Sequence, residues 1–358
     1  MGCRSLGISY RFRPALDKLK PYVAGRGIGE IARQYSIPAD KIVKLGSNEN
    51  PYGPSPGVKE AISSVPLHLY PETDELLQAL ASYTGFSRDM IVVGTGMDGV
   101  LDTLSRLFLE EGRSSAISTP TFSYYEILTR LAGAKPVLIP RDEDFRIDPD
   151  SLTGVDGSSM IFLCSPNNPT SNASTEEEVR AVVESTGAMV FLDEAYVDFA
   201  KKSLISMVSR YDNLIVGRTM SKAFGLAGLR LGYAVLPAPV ADQYRRAAPP
   251  FFGLSTISVA AGVAALQDAA YMRRSVEKIR KERQRLISEL PEAGPSQANF
   301  LYLETDRPSS EVAEALLRQG VIVRDCRSFW GAGENHIRVT VGTREQNDRF
   351  LEAYRRLC

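Results

Sequence analysis

The chain has 358 residues, of which 44% are hydrophobic and 24% are charged, a balance typical of a globular protein with more than one domain. Its 42 Lys and Arg residues against 43 Asp and Glu residues leave a formal net charge of −1, so the sequence shows no electrostatic footprint for nucleic acid or an anionic membrane. The four cysteines have no metal-ligand spacing and only two histidines accompany them, which argues against a zinc site and against a Cys/His nucleophile.

Residues 1–13 contain no apolar stretch of the kind that a signal peptide requires. No apolar run approaches the roughly 18 residues that a membrane helix needs. We therefore expect a soluble, cytoplasmic protein whose cysteines are free thiols.

The chain begins with segments that indicate an arm rather than a compact unit. Residues 1–47 are predicted to form an N-terminal arm with short helices that packs on a C-terminal domain. The Asn-, Pro- and Gly-rich stretch 48–56 is predicted to be a loop, and helices are predicted near 57–64 and 73–84.

From residue 91 onward, apolar runs alternate with helical patterns, which indicates an α/β fold with a mostly parallel sheet and helices on both faces. Each of four runs ends in polar residues. Ligands bind outside the carboxyl ends of strands in such sheets, so we expect the four following loops to meet at one site. The runs and loops are Ile91–Val93 before Gly94–Gly99, Met160–Cys164 before Ser165–Thr170, Met189–Leu192 before Asp193–Tyr196, and Leu214–Val216 before Gly217–Arg230.

The last third of the chain is predicted to be a smaller α+β domain. Residues 255–290 are predicted to form a long helix or a helix pair, whose basic residues alternate with glutamates and therefore indicate a solvated face rather than a nucleic-acid patch. Strands and helices alternate after it. The break at Pro249-Pro250 places the predicted boundary between a large domain, 48–250, and a small domain, 251–358.

A lysine lies in the loop after the fourth run. Lys222 has apolar neighbours, which would desolvate it, lower its pKa and make the neutral amine available to form a Schiff base with a carbonyl compound or with pyridoxal phosphate. Thr219, Ser221 and Arg230 are residue types that hold a phosphate. A surface lysine and arginine on an ordinary strand-turn-helix would fit this stretch alone equally well.

The loop after the first run has the spacing Gly94-x-Gly96-x-x-Gly99, which matches the dinucleotide-binding fingerprint literally. That fingerprint also requires an acidic residue at the end of the next strand, where this chain has Thr119-Pro120. We therefore interpret the loop as a phosphate cradle at a helix N-terminus, with N–H groups around Met97 and Asp98, and not as an NAD site.

The remaining loops carry groups that could hold a flat ring. Asp193, at a strand end with apolar neighbours, could pair with a protonated pyridine nitrogen, although Asp also commonly caps a helix. Tyr196 and Asn168 could donate hydrogen bonds to a ring oxygen, and Phe122 could stack on the ring. Helix packing, a turn and a core position are the respective alternatives.

The order of these features resembles the pyridoxal-phosphate enzymes of the aspartate-aminotransferase fold, fold type I, and within that group it is most similar to the histidinol-phosphate aminotransferases. The resemblance runs from about residue 22 to the C-terminus. It is most specific at Asn48-Glu49-Asn50-Pro51, Ser165–Thr170, Asp193-Glu194-Ala195-Tyr196 and Ser221–Arg230.

The resemblance implies a role for each of these residues at a pyridoxal 5′-phosphate cofactor. Lys222 would be the Schiff-base lysine, Asp193 would meet the ring nitrogen, Tyr196 and Asn168 the ring oxygen, and Phe122 the ring face. The cofactor phosphate would be held by Gly96, Met97, Asp98, Thr219, Ser221 and Arg230.

The resemblance also implies substrate contacts and a homodimer. Arg338 would grip the substrate carboxylate, Arg324 and Tyr22 would contact the substrate phosphate, and Asn48 and Asn168 would complete the substrate site. Tyr70 would reach the cofactor phosphate of the neighbouring subunit. From the residues alone, both arginines would be interpreted as exposed strand-end charges.

The implied reaction is the transfer of an amino group from histidinol phosphate to 2-oxoglutarate in histidine biosynthesis. A threonine-phosphate decarboxylase and an aromatic amino acid aminotransferase of the same fold are the alternatives. A non-catalytic cofactor-binding module is disfavoured because Lys222 is retained. An NAD-dependent dehydrogenase fits least well.

Overall fold

The structure is a computed structural model that describes residues 12–19 and 25–357, so the predicted contact of Tyr22 lies outside the described residues. The helices of the described residues are α1 (Ile28–Tyr35), α2 (Pro56–Ser63), α3 (Asp74–Thr84), α4 (Gly96–Phe108), α5 (Tyr124–Leu131), α6 (Pro149–Thr153), α7 (Glu176–Glu184), α8 (Ala238–Ala247), α9 (Thr256–Gln267), α10 (Ala269–Glu289), α11 (Ser309–Arg318) and α12 (Arg344–Arg355). Across those described ranges, every helix is too short or too polar to cross a lipid bilayer.

The strands of the same residues form three sheets. They are β1 (Val43–Lys44), β2 (Ile91–Thr95), β3 (Ser114–Thr119), β4 (Lys135–Pro140), β5 (Ser158–Cys164), β6 (Met189–Asp193), β7 (Leu214–Thr219), β8 (Leu231–Val235), β9 (Phe300–Glu304), β10 (Val321–Ile322), β11 (Arg324–Asp325) and β12 (His336–Thr340).

The largest sheet has seven strands in the order β2-β8-β7-β6-β5-β3-β4. The pairs from β7 to β4 are parallel, whereas β8 runs antiparallel to both of its neighbours. The predicted α/β class with a mostly parallel sheet is thus confirmed. In the register of this sheet, Cys164 lies beside Asp193 and Asp193 beside Gly217, so the polar segments that follow β5, β6 and β7 begin side by side.

The central strands are apolar on both faces, which is why they are buried between two layers of helices. Along β5, Ile161 and Leu163 pack in the cluster that includes α3, α7 and α9, while Met160 and Phe162 pack in the cluster that includes α4, α5 and α8. Successive side chains of a strand point to opposite faces, so one run of apolar residues serves both layers. The sheet is therefore a firm platform for the loops at its edge.

The C-terminal strands build the two smaller sheets, one of them together with β1. Strands β11, β12 and β9 form an antiparallel sheet, and β1 pairs in parallel with β10. The predicted strand near 321–324 is divided between β10 and β11, and the predicted helix pair is α9 and α10.

The N-terminal arm contacts both parts of the molecule. Ile31 and Ile42 pack with Leu317 and Ile322, beside the small sheets. The short 3₁₀ helix Pro14–Lys18 instead contacts α5, on the large sheet. The division into an arm, 1–47, and domains 48–250 and 251–358 stays a prediction.

Candidate active site

A cleft lies at the carboxyl ends of β5, β6 and β7, between the large sheet and the strands β11 and β12. The predicted residues that line it are Asn48, Met97, Asp98, Phe122, Asn168, Asp193, Tyr196, Thr219, Ser221, Lys222, Arg230, Arg324 and Arg338. Gly25, Gly46, Ser47, Cys164, Ala195 and Phe329 complete the lining.

Lys222 presents its amine to this cleft. Its Nζ donates a hydrogen bond to the Ser47 carbonyl oxygen at 3.1 Å and lies 5.7 Å from the centre of the Tyr196 ring. Burial, with the nearby positive charge of Arg338, lowers the pKa of Lys222 to about 8. About a tenth of the amine is therefore neutral at pH 7, the form that a nucleophile or a proton acceptor requires.

Asp193, the last residue of β6, lies on the floor of the cleft and is 3% exposed. The Tyr125 hydroxyl donates to its Oδ2 at 2.6 Å, and the Ala195 N–H donates to its Oδ1 at 2.9 Å. Burial raises the pKa of Asp193 to about 6, so the group is still mainly ionised at neutral pH. A buried anion of this kind is favourable beside a cationic ring nitrogen.

Tyr125 is a site residue that the sequence analysis missed. It follows Phe122 by three residues, and its bond to Asp193 joins residues 68 positions apart. The nearest signal in the sequence is that Tyr125 lies in the first turn of α5, three residues after Phe122, which is predicted to meet the ring.

Asn48 connects the two sides of the cleft. Its Nδ2 donates to the Tyr196 hydroxyl at 3.1 Å, its N–H donates to Thr340 Oγ1 at 2.9 Å, and the Asn299 amide donates to its carbonyl oxygen at 3.0 Å. Its backbone is left-handed, with φ of 56°, a conformation that Asn tolerates better than most residues. The side chain thus fixes the Tyr196 hydroxyl relative to the small sheet.

An anion cradle lies at the N-terminus of α4. Gly96 has a left-handed backbone, with φ of 70°, which favours glycine, and a Cβ atom at Gly232 would lie 2.4 Å from the Gly96 carbonyl carbon, so that position also requires glycine. The Thr219 and Ser221 hydroxyls, 3.0 Å apart, line the same cleft, and Arg230 pairs with Asp98. The helix N-terminus, two hydroxyls and a guanidinium are groups that bind a phosphate.

Two arginines on neighbouring strands form the opposite wall. Arg324 and Arg338 are paired in the register of β11 and β12, and they are only 8% and 6% exposed. The interpretation of both as exposed charges, made from the residues alone, was wrong. The Phe329 ring covers them, with its centre 5.4 Å and 6.0 Å from the two guanidinium carbons.

Arg338 is held in place by the floor of the cleft. It donates to the Gly46 carbonyl oxygen at 2.8 Å and to Asn168 Oδ1, whereas its Nε is buried and has no partner among the described residues. Two buried guanidinium groups that face one cleft make that cleft complementary to an anionic ligand.

Arg218 and Glu194 form a buried ion pair next to Asp193, and the sequence analysis did not predict it. Arg218 Nε and Nη2 donate to Glu194 Oε2 at 3.0 Å and 2.8 Å, and the Leu204 N–H donates to Oε1 at 2.7 Å. Glu194 follows Asp193 directly, so this pair fixes the turn that carries the carboxylate.

Replacing Arg218 by methionine is expected to lower the free energy of unfolding by about 3–5 kcal/mol, because Glu194 would keep its charge in a buried place without its cation. Urea denaturation at pH 7 measures the change. Arg210→Met is the matched control, since it breaks an exposed pair with Glu176 and should cost less than about 1 kcal/mol. Equal losses in the two variants would contradict the expectation.

The predicted residues outside the lining are also placed. Gly96 begins α4 at the anion cradle. Tyr70 does not line the cleft of the described chain; it is 79% exposed and stacks on Phe251 with ring centres 4.9 Å apart. An amine, a buried carboxylate and an anion cradle around one cleft fit a flat, cationic ring that bears a carbonyl and a phosphate.

Comparisons with known proteins agree with this chemistry. The sequence model of the aminotransferase class I and II family matches residues 40–353. A histidinol-phosphate aminotransferase of Methanosarcina mazei is 47% identical over 345 residues, 94% of each chain. Histidinol-phosphate aminotransferase 1 of Archaeoglobus fulgidus is 49% identical over 87% of this chain and 98% of its own.

Among solved structures, the histidinol-phosphate aminotransferase of Sinorhizobium meliloti in complex with pyridoxal-5′-phosphate superposes with a TM-score of 0.87. The two sequences are 28% identical, and the match covers 99% of this chain and 100% of the other.

Proposed function

The chain belongs to the class I and II aminotransferases, and on this premise we propose that it transfers an amino group from histidinol phosphate to 2-oxoglutarate with pyridoxal 5′-phosphate as cofactor. The names of its relatives support this choice of substrate. The observation that carries the proposal is one cleft in which the Lys222 amine and the Asp193 carboxylate face two buried arginines, Arg324 and Arg338.

When bound, pyridoxal phosphate supplies a carbonyl that takes up the amino group and a ring that withdraws electrons from the bond being broken. Asp193 would hold the proton of the ring nitrogen. The hydroxyl of Tyr196 and the Nδ2 of Asn168, whose Oδ1 accepts from Arg338, would donate to the ring oxygen. Phe122 would pack on the ring face. The phosphate would lie in the anion cradle formed by Gly96, Met97, Asp98, Thr219, Ser221 and Arg230.

Lys222 would move the proton that defines the reaction. Its neutral Nζ would accept the proton from the substrate carbon that bears the amino group and, once protonated, would be the acid that gives the proton back. The lowered pKa of Lys222 suits this exchange, because the amine must be a base in one step and an acid in the next.

Both substrates are anionic and would bind in the same cleft. Arg338 would grip the carboxylate of 2-oxoglutarate bidentately, and Arg324 with Tyr22 would contact the phosphate of histidinol phosphate. A single cleft requires that the first product leave before the second substrate binds. We therefore expect ping-pong kinetics.

A panel of amino donors tests the proposal. The holoenzyme is supplied with 2-oxoglutarate and with histidinol phosphate, phenylalanine or phosphothreonine, and glutamate and carbon dioxide are both measured. Histidinol phosphate should give a kcat/KM at least about tenfold above the other donors. Carbon dioxide release without loss of 2-oxoglutarate would establish the decarboxylase, and a preference for phenylalanine would establish the aromatic aminotransferase.

The dimer is proposed from an exposed apolar cluster beside the anion cradle. Leu67, Leu69, Tyr70 and Phe251 are all exposed, and the segment of Phe251 is joined to the start of α4 by a hydrogen bond of 2.9 Å from Thr95 Oγ1 to the Gly253 carbonyl oxygen. Exposed clusters of large apolar side chains mark interaction surfaces. A second copy that covers this cluster would bring Tyr70 to the cofactor phosphate of its neighbour.

A mixture of two inactive chains shows whether Tyr70 acts in its own subunit or at the site of the neighbouring subunit. Tyr70→Ala and Lys222→Ala chains, coexpressed in equal amounts, should recover about a quarter of wild-type activity, because half of the dimers would contain one complete site out of two. The steady-state rate of the mixture measures the recovery. A rate equal to the mean of the two parents would show that Tyr70 does not act across the interface.

A further inference from the structure

Tyr125 is a completely buried residue on α5 whose ring links two sides of the cofactor site. It stacks on Phe162, with ring centres 4.9 Å apart and planes at 8°, and meets Phe122 edge-on at 5.6 Å. Its hydroxyl donates to Asp193 Oδ2 at 2.6 Å, a short bond between a neutral donor and a carboxylate. Such charge-assisted bonds are about twice as strong as neutral ones.

The surroundings of Asp193 explain why this donor matters. Around it lie Tyr125 from α5, Cys164 from β5, Asp98 from α4, and Glu194 and Tyr196 from the segment after β6. Burial disfavours the charge of Asp193, and the carboxylates of Asp98 and Glu194 add to that effect. Within the described part of the chain, the Tyr125 hydroxyl and the Ala195 N–H are the groups that donate to it.

We propose that Tyr125 is a positioning residue that keeps the Asp193 carboxylate ionised and directs it toward the ring nitrogen of the bound cofactor. The proposal rests on the proposed function for the identity of that cofactor. A phenylalanine would fill the same space between Phe122 and Phe162, so packing alone does not call for the hydroxyl. The hydroxyl is tolerated in the core because the carboxylate accepts its hydrogen bond, and the carboxylate is tolerated because the hydroxyl donates that bond.

The test compares the affinity of Tyr125→Phe and wild-type protein for pyridoxal phosphate between pH 5.5 and 9. Removal of a donor from a carboxylate should raise the midpoint of Asp193 by about one pH unit. The variant should therefore bind the cofactor about fivefold more weakly than wild type near pH 6 and equally well near pH 9. Equilibrium dialysis of the cofactor-free protein against pyridoxal phosphate measures both curves.

Tyr244→Phe is the matched control. Tyr244 is equally buried, and its hydroxyl donates to the Val93 carbonyl oxygen at 3.0 Å, away from Asp193. Its variant should keep the wild-type pH dependence. A loss of affinity in Tyr125→Phe that is the same at every pH, or no loss at all, would overturn the proposal.

A second measurement separates this inference from the proposed function. Carbon-13 NMR of the cofactor-free protein follows the titration of the Asp193 carboxyl directly, and the midpoint should rise by about one pH unit in Tyr125→Phe but not in Tyr244→Phe. If wild type bound no pyridoxal phosphate at any pH, the proposed function would fail, while an unchanged midpoint would refute the role of Tyr125. Should Tyr125→Phe not fold, Tyr125→His supplies a ring N–H donor, and the Asp193 midpoint must then stay within about half a pH unit of wild type.

Discussion

Lys222→Ala is expected to lower the rate of transamination by about four orders of magnitude or more, because no other group could both bind the cofactor carbonyl and move the substrate proton. The fold should survive the change. The side chain makes one hydrogen bond, to the Ser47 carbonyl oxygen, and its charge is disfavoured by burial. Single-turnover kinetics with histidinol phosphate and a thermal melt measure the two effects.

Lys222→Arg separates the amine from the charge. A guanidinium stays protonated and cannot act as the base, so this variant should be as inactive as the alanine variant. Lys202→Ala alters an exposed lysine that pairs with Glu176 and should leave the rate unchanged. Activity within tenfold of wild type in Lys222→Ala would refute the assignment of the amine.

Asp193→Asn is expected to lower the rate by about two to four orders of magnitude and, without cofactor, to stabilise the protein. Folding raises the pKa of this carboxyl from its ordinary 3.8 to about 6, because burial disfavours the charge. The folded state therefore holds the proton more tightly than the unfolded state, and stability is lost as the pH rises from 4 through 6. Asparagine does not ionise, so the variant should keep this stability, which is worth at most about 3 kcal/mol in the free energy of unfolding.

Urea denaturation of the cofactor-free protein at pH 3.5 and pH 8 measures the second effect. The variant should be more stable than wild type at pH 8 and similar at pH 3.5, where the carboxyl is protonated in the folded state and mostly protonated in the unfolded state. Added pyridoxal phosphate should stabilise wild type more than the variant. A variant that is less stable at pH 8 than wild type would show that the buried charge is not a cost.

The general plan of the site could be predicted because it follows from the geometry of parallel sheets. Apolar runs that each end in polar residues predict that Asp193, Asn168 and Lys222 lie at one edge of the sheet. The register then sets Cys164, Asp193 and Gly217 in a row. The alternation of strands and helices does not show in which direction each strand runs, however, and the sequence did not predict that β8 is antiparallel to its neighbours.

Contacts between distant residues could not be read in the same way. The sequence pattern of Tyr124-Tyr125 does not show which ring faces Asp193, because that depends on how α5 lies on the sheet. In the sequence, Arg324 and Arg338 resemble exposed strand-end residues. In the structure, the Phe329 ring covers both, and Arg338 donates to the Gly46 carbonyl oxygen. Tertiary packing decides burial at such positions, and local composition does not record it.

Asn48 joins the two sides of the cleft, so the position of β12 is coupled to the position of Tyr196. The backbone N–H of Asn48 is hydrogen-bonded to Thr340 on β12, and its side-chain amide is hydrogen-bonded to the hydroxyl of Tyr196, the third residue after β6. A displacement of β12 away from β6 would therefore break this bridge or shift the Tyr196 hydroxyl. The groups on the two sides of the cleft keep their relative positions only while both hydrogen bonds are intact.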